Sequence, residues 1–164
     1  MTILTKDFIQ TQNRPHEAAL SRDYANLGEQ LARNGVDIES ITASAMRFAV
    51  AVPSWGVGTG GTRFARFPAL AEPRNVVEKL EDCAVIQALV RCTPTVSPHF
   101  PWDCVDDYAA LREQASAFGL AFDAVNSNTF QDAPGQLESY KFGSLTHTDK
   151  AVRAQAIAHN VDCI

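Results

Sequence analysis

Long apolar runs are missing from this chain. No stretch approaches the roughly 18 consecutive apolar residues of a membrane span, and residues 1–12 show no basic segment followed by an apolar one. The expected location is the cytoplasm, with no membrane partner. Clusters of Lys or Arg are also missing and the formal net charge is −5, which removes the electrostatic basis of most nucleic-acid binding. The four cysteines, Cys83, Cys92, Cys104 and Cys163, stand too far apart for a Cys-x-x-Cys redox or zinc motif. They are expected as thiols, with Cys83 and Cys92 acting as small apolar residues on a helix. There is no Gly-x-Ser-x-Gly nucleophile elbow, no phosphate-cradling Lys motif and no trio of carboxylates and histidines at metal-ligand spacing.

What is present is a globular composition: 164 residues, 46% apolar and 20% charged, enough for one domain with a sizeable core. Ala19, Leu20, Tyr24, Leu27, Leu31 and Ala32 recur at three- and four-residue spacings over residues 15–33, and Asn34-Gly35 follows as a stop, so this segment reads as a helix. A second helical pattern covers residues 37–45. Arg-Phe-Ala-Val-Ala-Val at 47–52, closed by Pro53, suits a buried parallel strand. Further on, the patterns predict a helix over 75–90, a strand over 95–100, a helix over 106–118 ended by Gly119, a strand over 120–125 and a helix from 148 to about 160.

This order, a leading helical segment (1–45) and then three βα units (46–164), implies an α/β fold with a parallel sheet covered by helices. Two architectures satisfy it: an open doubly wound sheet, or the first portion of a closed eight-fold barrel, which typically needs ~250 residues.

Gly56-Val57-Gly58-Thr59-Gly60-Gly61 follows the first strand and fits the Gly-x-Gly-x-x-Gly spacing of dinucleotide sites. In such sites the last glycine opens a helix whose N–H groups hold the pyrophosphate. Here Pro68 and Pro73 delay the helix by about a dozen residues, and the second strand ends at His99 and Phe100 rather than at an acidic residue. A mobile loop at a strand's C-terminal end, where barrel enzymes keep their lids, accounts for the same residues.

The second strand leads into His99-Phe100-Pro101-Trp102-Asp103. A histidine beside a carboxylate is equipped for proton transfer near neutral pH, and an indole offers a flat apolar face to a sugar or methyl group. A core histidine bonded to backbone is the plainer alternative, but the strand-end position favours function. Asn126-Ser127-Asn128-Thr129-Phe130 after the third strand either bonds substrate hydroxyls or forms turns. Asp106 and Asp107 stand where the first turn of a helix favours negative charge and read as capping residues; His16, His147 and His159 read as solvated or capping.

Several blocks together are more specific than any one of them: Val52-Pro53-Ser54-Trp55-Gly56 through Thr62-Arg63-Phe64, Lys79-Leu80-Glu81-Asp82-Cys83-Ala84, the His99–Asp103 and Asn126–Phe130 segments, Asp132-Ala133-Pro134-Gly135, and Ser139-Tyr140-Lys141-Phe142-Gly143-Ser144-Leu145. From about Ile9 to Ile164 the chain resembles the N-terminal half of L-rhamnose isomerases of the broad-specificity pseudomonad type. The resemblance implies a xylose-isomerase-like (β/α)8 barrel that interconverts L-rhamnose and L-rhamnulose, and a full-length enzyme that is a homo-tetramer. It implies divalent ions such as Mn²⁺ that polarise the sugar oxygens, with metal ligands and catalytic carboxylates beyond Ile164 and none in this chain. By position His99 and Asp103 resemble a catalytic pair near the sugar ring oxygen and C1, Trp102 and Phe130 the hydrophobic wall, Trp55 its rim, and Phe64 a lid aromatic. Asn126 joins them as a substrate-binding candidate.

Three parallel strands cannot close a barrel, so the 164-residue chain alone is expected to lack isomerase activity. One departure from the family pattern is Pro98, where an aliphatic residue is expected; proline removes a ladder donor and predicts an early end to the second strand. Two other functions remain open at this point: a nucleotide-binding module using Gly56 to Gly61, and a non-catalytic barrel remnant that associates with a partner.

Overall fold

In the computed structural model, which describes residues 4–58, 60–61, 66–67, 70–133 and 135–164, three helices precede the first strand. Thr5 caps α1 (Lys6–Asn13) by accepting a hydrogen bond from the Phe8 N–H. This helix lies within the expected helical segment 1–45, but periodicity located helices only over 15–33 and 37–45, because Ile9 is the one buried residue of α1 among those described, too narrow a stripe to show a period. One turn of 3-10 helix, Arg14–His16, leads into α2 (Glu17–Ala32), and Asp37 caps α3 (Ile38–Met46) through the Glu39 and Ser40 N–H groups.

Local chemistry joins α2 to α3. Gly35 adopts φ +72°, and the Val36 N–H reaches back to the Leu31 carbonyl at 3.1 Å, which closes the helix end as the Asn34-Gly35 pair predicted. The Tyr24 hydroxyl bonds Glu39 at 3.1 Å and Thr42 at 2.7 Å. A side chain at Gly28 would meet Ile38 at 3.1 Å, so glycine permits the close crossing. No residue of α2 or α3 is buried.

The strands are shorter than their patterns predicted. β1 is Ala51–Pro53 rather than 47–52, because the helical turn of α3 continues: Arg47 caps it and the Phe48 N–H bonds the Ala45 carbonyl. After it come one 3-10 turn, Ser54–Gly56, and an antiparallel pair, β2 (Gly60–Gly61) with β3 (Arg66–Phe67). Then α4 (Val76–Val90), β4 (Thr95–Ser97), β5 (His99–Phe100), α5 (Tyr108–Ala117), β6 (Ala121–Phe122), β7 (Asn126–Ser127) and α6 (Lys150–Asp162) complete the order.

β1, β4 and β6 form a parallel sheet in that order, and β5 and β7 continue it as a second parallel pair. Pro98 separates β4 from β5. The break is local: the Pro98 carbonyl still accepts from the Asn126 N–H at 2.8 Å, and the Phe100 carbonyl from the Asn128 N–H at 3.0 Å. Val96 pairs with Phe122 whereas His99 pairs with Asn126, so the third strand carries one extra residue across the gap. An extra residue of this kind re-aims the strand beside a position that lacks a ladder donor.

Asn75 caps α4 and Asp107 caps α5, the latter as its position predicted. Val76, Leu80 and Cys83 of α4 meet Leu111 and Ala115 of α5 over Val96 and Leu120, with Val52 and Phe122 packed alongside. This is the main core, on one face of the sheet. Ala51, Pro53, Thr95, Ser97 and Ala121 alternate to the other face, and none of them is buried. A smaller cluster joins Tyr140 to Val152 and Ala156 of α6. All four cysteines are free thiols; burial and the nearby Asp82 and Asp103 push Cys83 up to about 11. Cys92 lies past the end of α4 rather than on a helix.

The class is thus α/β, with strands and helices alternating as the sequence predicted. Three parallel strands in consecutive order begin both open sheets and barrels. No described helix is long and apolar enough to cross a membrane.

Candidate functional site

His99 begins at a strand end and stays there. Val96, three residues earlier, points into the helix-covered core, so the period of two directs His99 to the opposite face. The residue is only 8% exposed, and its ring is enclosed by three aromatics. Trp55 approaches edge-on with centroids 5.0 Å apart, Trp102 lies at 4.6 Å with planes inclined by 48°, and Phe130 stacks at 5.9 Å and 13°. Trp55 and Phe130 are each partly open to solvent and form the rim.

Within this enclosure His99 Nε2 is buried and has no hydrogen-bond partner among the described residues. An unpaired buried nitrogen costs free energy, and such a group in a native fold is a candidate for contact with a ligand. Burial lowers the His99 pKa from its usual 6.5; Asp103 pulls it upward and Lys79 downward, both more weakly. The imidazole is therefore held toward its neutral form.

Asp103 does not bond the imidazole. Its side chain is fully buried: Oδ2 accepts from the His99 backbone N–H at 2.8 Å and from the Ser54 hydroxyl, and Oδ1 accepts from Lys79 Nζ at 2.5 Å. The Asp103 N–H in turn donates to the His99 carbonyl at 3.0 Å. Residues 99–103 are thereby closed into a turn around the cis Phe100–Pro101 peptide.

Lys79 and Ser54 received no role from the sequence. A signal for Lys79 existed: it stands three residues after Val76 and four before Cys83, on the inward stripe of α4, where an unpaired cation is costly. Ser54, fully buried, is the first residue past β1.

Asn126 sits in β7, bonded through its N–H to the Pro98 carbonyl, with its side chain half-buried. Asn128 is 2% exposed and forms a turn with Gln131, donating from Nδ2 to its carbonyl at 2.6 Å and accepting its N–H at 3.2 Å. That turn presents Phe130 to His99. Phe64 lies outside the described residues. The structure thus brings His99, Trp55, Trp102 and Phe130 together, with Asp103 beneath them and Asn126 on the neighbouring strand.

Gly56 ends a 3-10 turn, and Gly60 and Gly61 belong to β2. Among the described residues the helix that follows starts only at Val76. Among the described residues, no group of three His, Cys, Asp or Glu side chains is placed to hold a metal ion.

No family model matches the chain. It is 60% identical over 162 residues to a probable sugar isomerase of Rhizobium meliloti (strain 1021), and 56% identical over 163 residues to a probable sugar isomerase of Mesorhizobium japonicum. Each comparison takes in 99% of this chain but only 38% of the relative. The chain therefore spans 38% of the length of the curated relatives it matches.

Proposed function

We propose that this chain supplies part of the sugar site of an aldose–ketose isomerase acting on L-rhamnose, built on the first three βα units of a (β/α)8 barrel. The observation that carries the reading is the unpartnered Nε2 of His99, enclosed by Trp55, Trp102 and Phe130 at a strand end. The two relatives named as probable sugar isomerases support it, as does the start of the next described helix only at Val76, far from the Gly61 position where a dinucleotide site needs one.

In this reading the indoles and Phe130 cover the C–H face and methyl group of the sugar, and by excluding water they strengthen polar contacts inside. Neutral His99 takes the C1 hydroxyl proton at Nε2 and returns it to the ring oxygen as the bond between C1 and that oxygen breaks, the step that opens the ring. Asp103 does not touch the sugar; it holds the turn that sets the imidazole. Asn126 contributes a hydrogen bond to a hydroxyl.

A divalent ion such as Mn²⁺ would polarise the sugar oxygens. The described residues do not fit such an ion, so its ligands would come from other parts of the longer polypeptide that the relatives represent, and no step above passes through it. A cytoplasmic homo-tetramer completes the proposal.

The test is an isomerase assay, with Mn²⁺ and L-rhamnose, on the product of the complete reading frame that contains these residues. Ketose formation is expected, slowed on the order of 10²-fold by His99→Asn. No turnover of L-rhamnose, equal turnover by His99→Asn, or a thermal shift caused by NAD⁺ and not by sugar would overturn the reading.

A further inference from the structure

Two charged side chains meet beneath the aromatic enclosure, brought there from different elements. Lys79 reaches from α4 and is 14% exposed; Asp103 is fully buried. Their contact at 2.5 Å is one of three hydrogen bonds on the carboxylate, with the Ser54 hydroxyl and the His99 N–H making the others. Removing either charge leaves the other desolvated and unpaired, which a fold tolerates poorly. The core beside α4 is otherwise apolar, and an aliphatic residue at 79 would fit the inward stripe of Val76, Leu80 and Cys83. Covering the core therefore does not account for a lysine here.

We propose that Lys79 is a positioning residue for His99: from α4 it holds the buried carboxylate of Asp103, and through it the turn that sets the imidazole among Trp55, Trp102 and Phe130. This deepens the sugar-site reading and rests on it for its purpose, but not for its test. Lys79 makes no contact with substrate. It compensates the charge of Asp103, so that the carboxylate organises the backbone without drawing a proton onto the ring above it.

The charged and titratable groups facing His99, among the described residues, are these two. The 54–56 turn brings Ser54 and Trp55, β7 brings Asn126 and Ser127, and the 128–131 turn brings Asn128 and Phe130, none of them charged. Cys83, one helical turn from Lys79, is pushed up to about 11 by burial and stays neutral. Asp103 raises the His99 pKa and Lys79 lowers it, so loss of the cation alone should move the titration upward.

The chain has two tryptophans, Trp55 and Trp102, and both touch His99. A pH titration of intrinsic fluorescence therefore reports the protonation of this one histidine, whether or not the protein isomerises a sugar. In Lys79→Gln, which keeps a hydrogen-bond donor for Asp103, and in Lys79→Met, the midpoint is expected to rise. Lys79→Arg, which keeps the charge, is expected to return it toward the wild-type value, and His99→Gln to abolish the transition. A wild-type midpoint in either folded neutral variant overturns the proposal, as does a midpoint displaced equally by Lys79→Arg. If the midpoint shifts while the isomerase assay shows no turnover, the positioning role stands and the sugar-site reading alone fails.

Discussion

The imidazole of His99 and the ring of Phe130 stack with centroids 5.9 Å apart and planes inclined by 13°. The two residues come from successive strand ends, and what holds Phe130 in place is the turn formed by Asn128 and Gln131. Covering a neutral imidazole with an aromatic face keeps water from its ring.

Asn128→Ala should release that cover. Two hydrogen bonds of a 2%-exposed side chain are lost, and the expected cost is about 1–3 kcal/mol. Urea unfolding measures it. The fluorescence of Trp55 and Trp102 should change in the folded variant as solvent reaches His99; an unchanged spectrum would sever the link between Asn128 and the aromatic enclosure.

Acidification provides a second check. Burial lowers the His99 pKa below 6.5, so between the folded and unfolded values the unfolded chain binds more protons and stability falls as pH falls. The contribution is present in full above pH 6.5 and is lost as pH drops through the folded-state value. The urea midpoint of the wild type should therefore decline more steeply below pH 6.5 than that of His99→Gln. Parallel profiles would show that His99 titrates alike in both states.

Core and surface leucines should separate cleanly. Leu80 is fully buried between α4, α5 and the sheet, so Leu80→Ala is expected to cost roughly 2–5 kcal/mol. Leu27 of α2 is 49% exposed, and Leu27→Ala should stay under about 1 kcal/mol. Comparable losses in denaturant melts would mean that something covers α2 in solution.

Arg91 ends α4 with φ +58°, a left-handed conformation that glycine adopts without strain. Arg91→Gly should stabilise the chain by up to ~1 kcal/mol, read as a higher thermal midpoint. A lower midpoint would show that the arginine side chain contributes more than its backbone costs.

The sequence by itself determined the alternation of helices and strands, the cap at Asp107, the helix stops at Gly35 and Gly119, and the strand-end position of His99. All of these depend on periodicity or on chemistry within a few residues. Strand limits were less legible: helical hydrogen bonding at Arg47 and Phe48 outlasted an apolar run that reads equally well as strand, and the extra residue opposite Pro98 follows from pairing with another strand. Only the tertiary structure decided what Asp103 does. Next to His99 in sequence it reads as the partner of the imidazole, but Ser54, 49 residues before it, and Lys79, 24 residues before it, take up its carboxylate. A buried charge bonds the donors that folding brings within reach, and their distance along the chain leaves no local pattern to read.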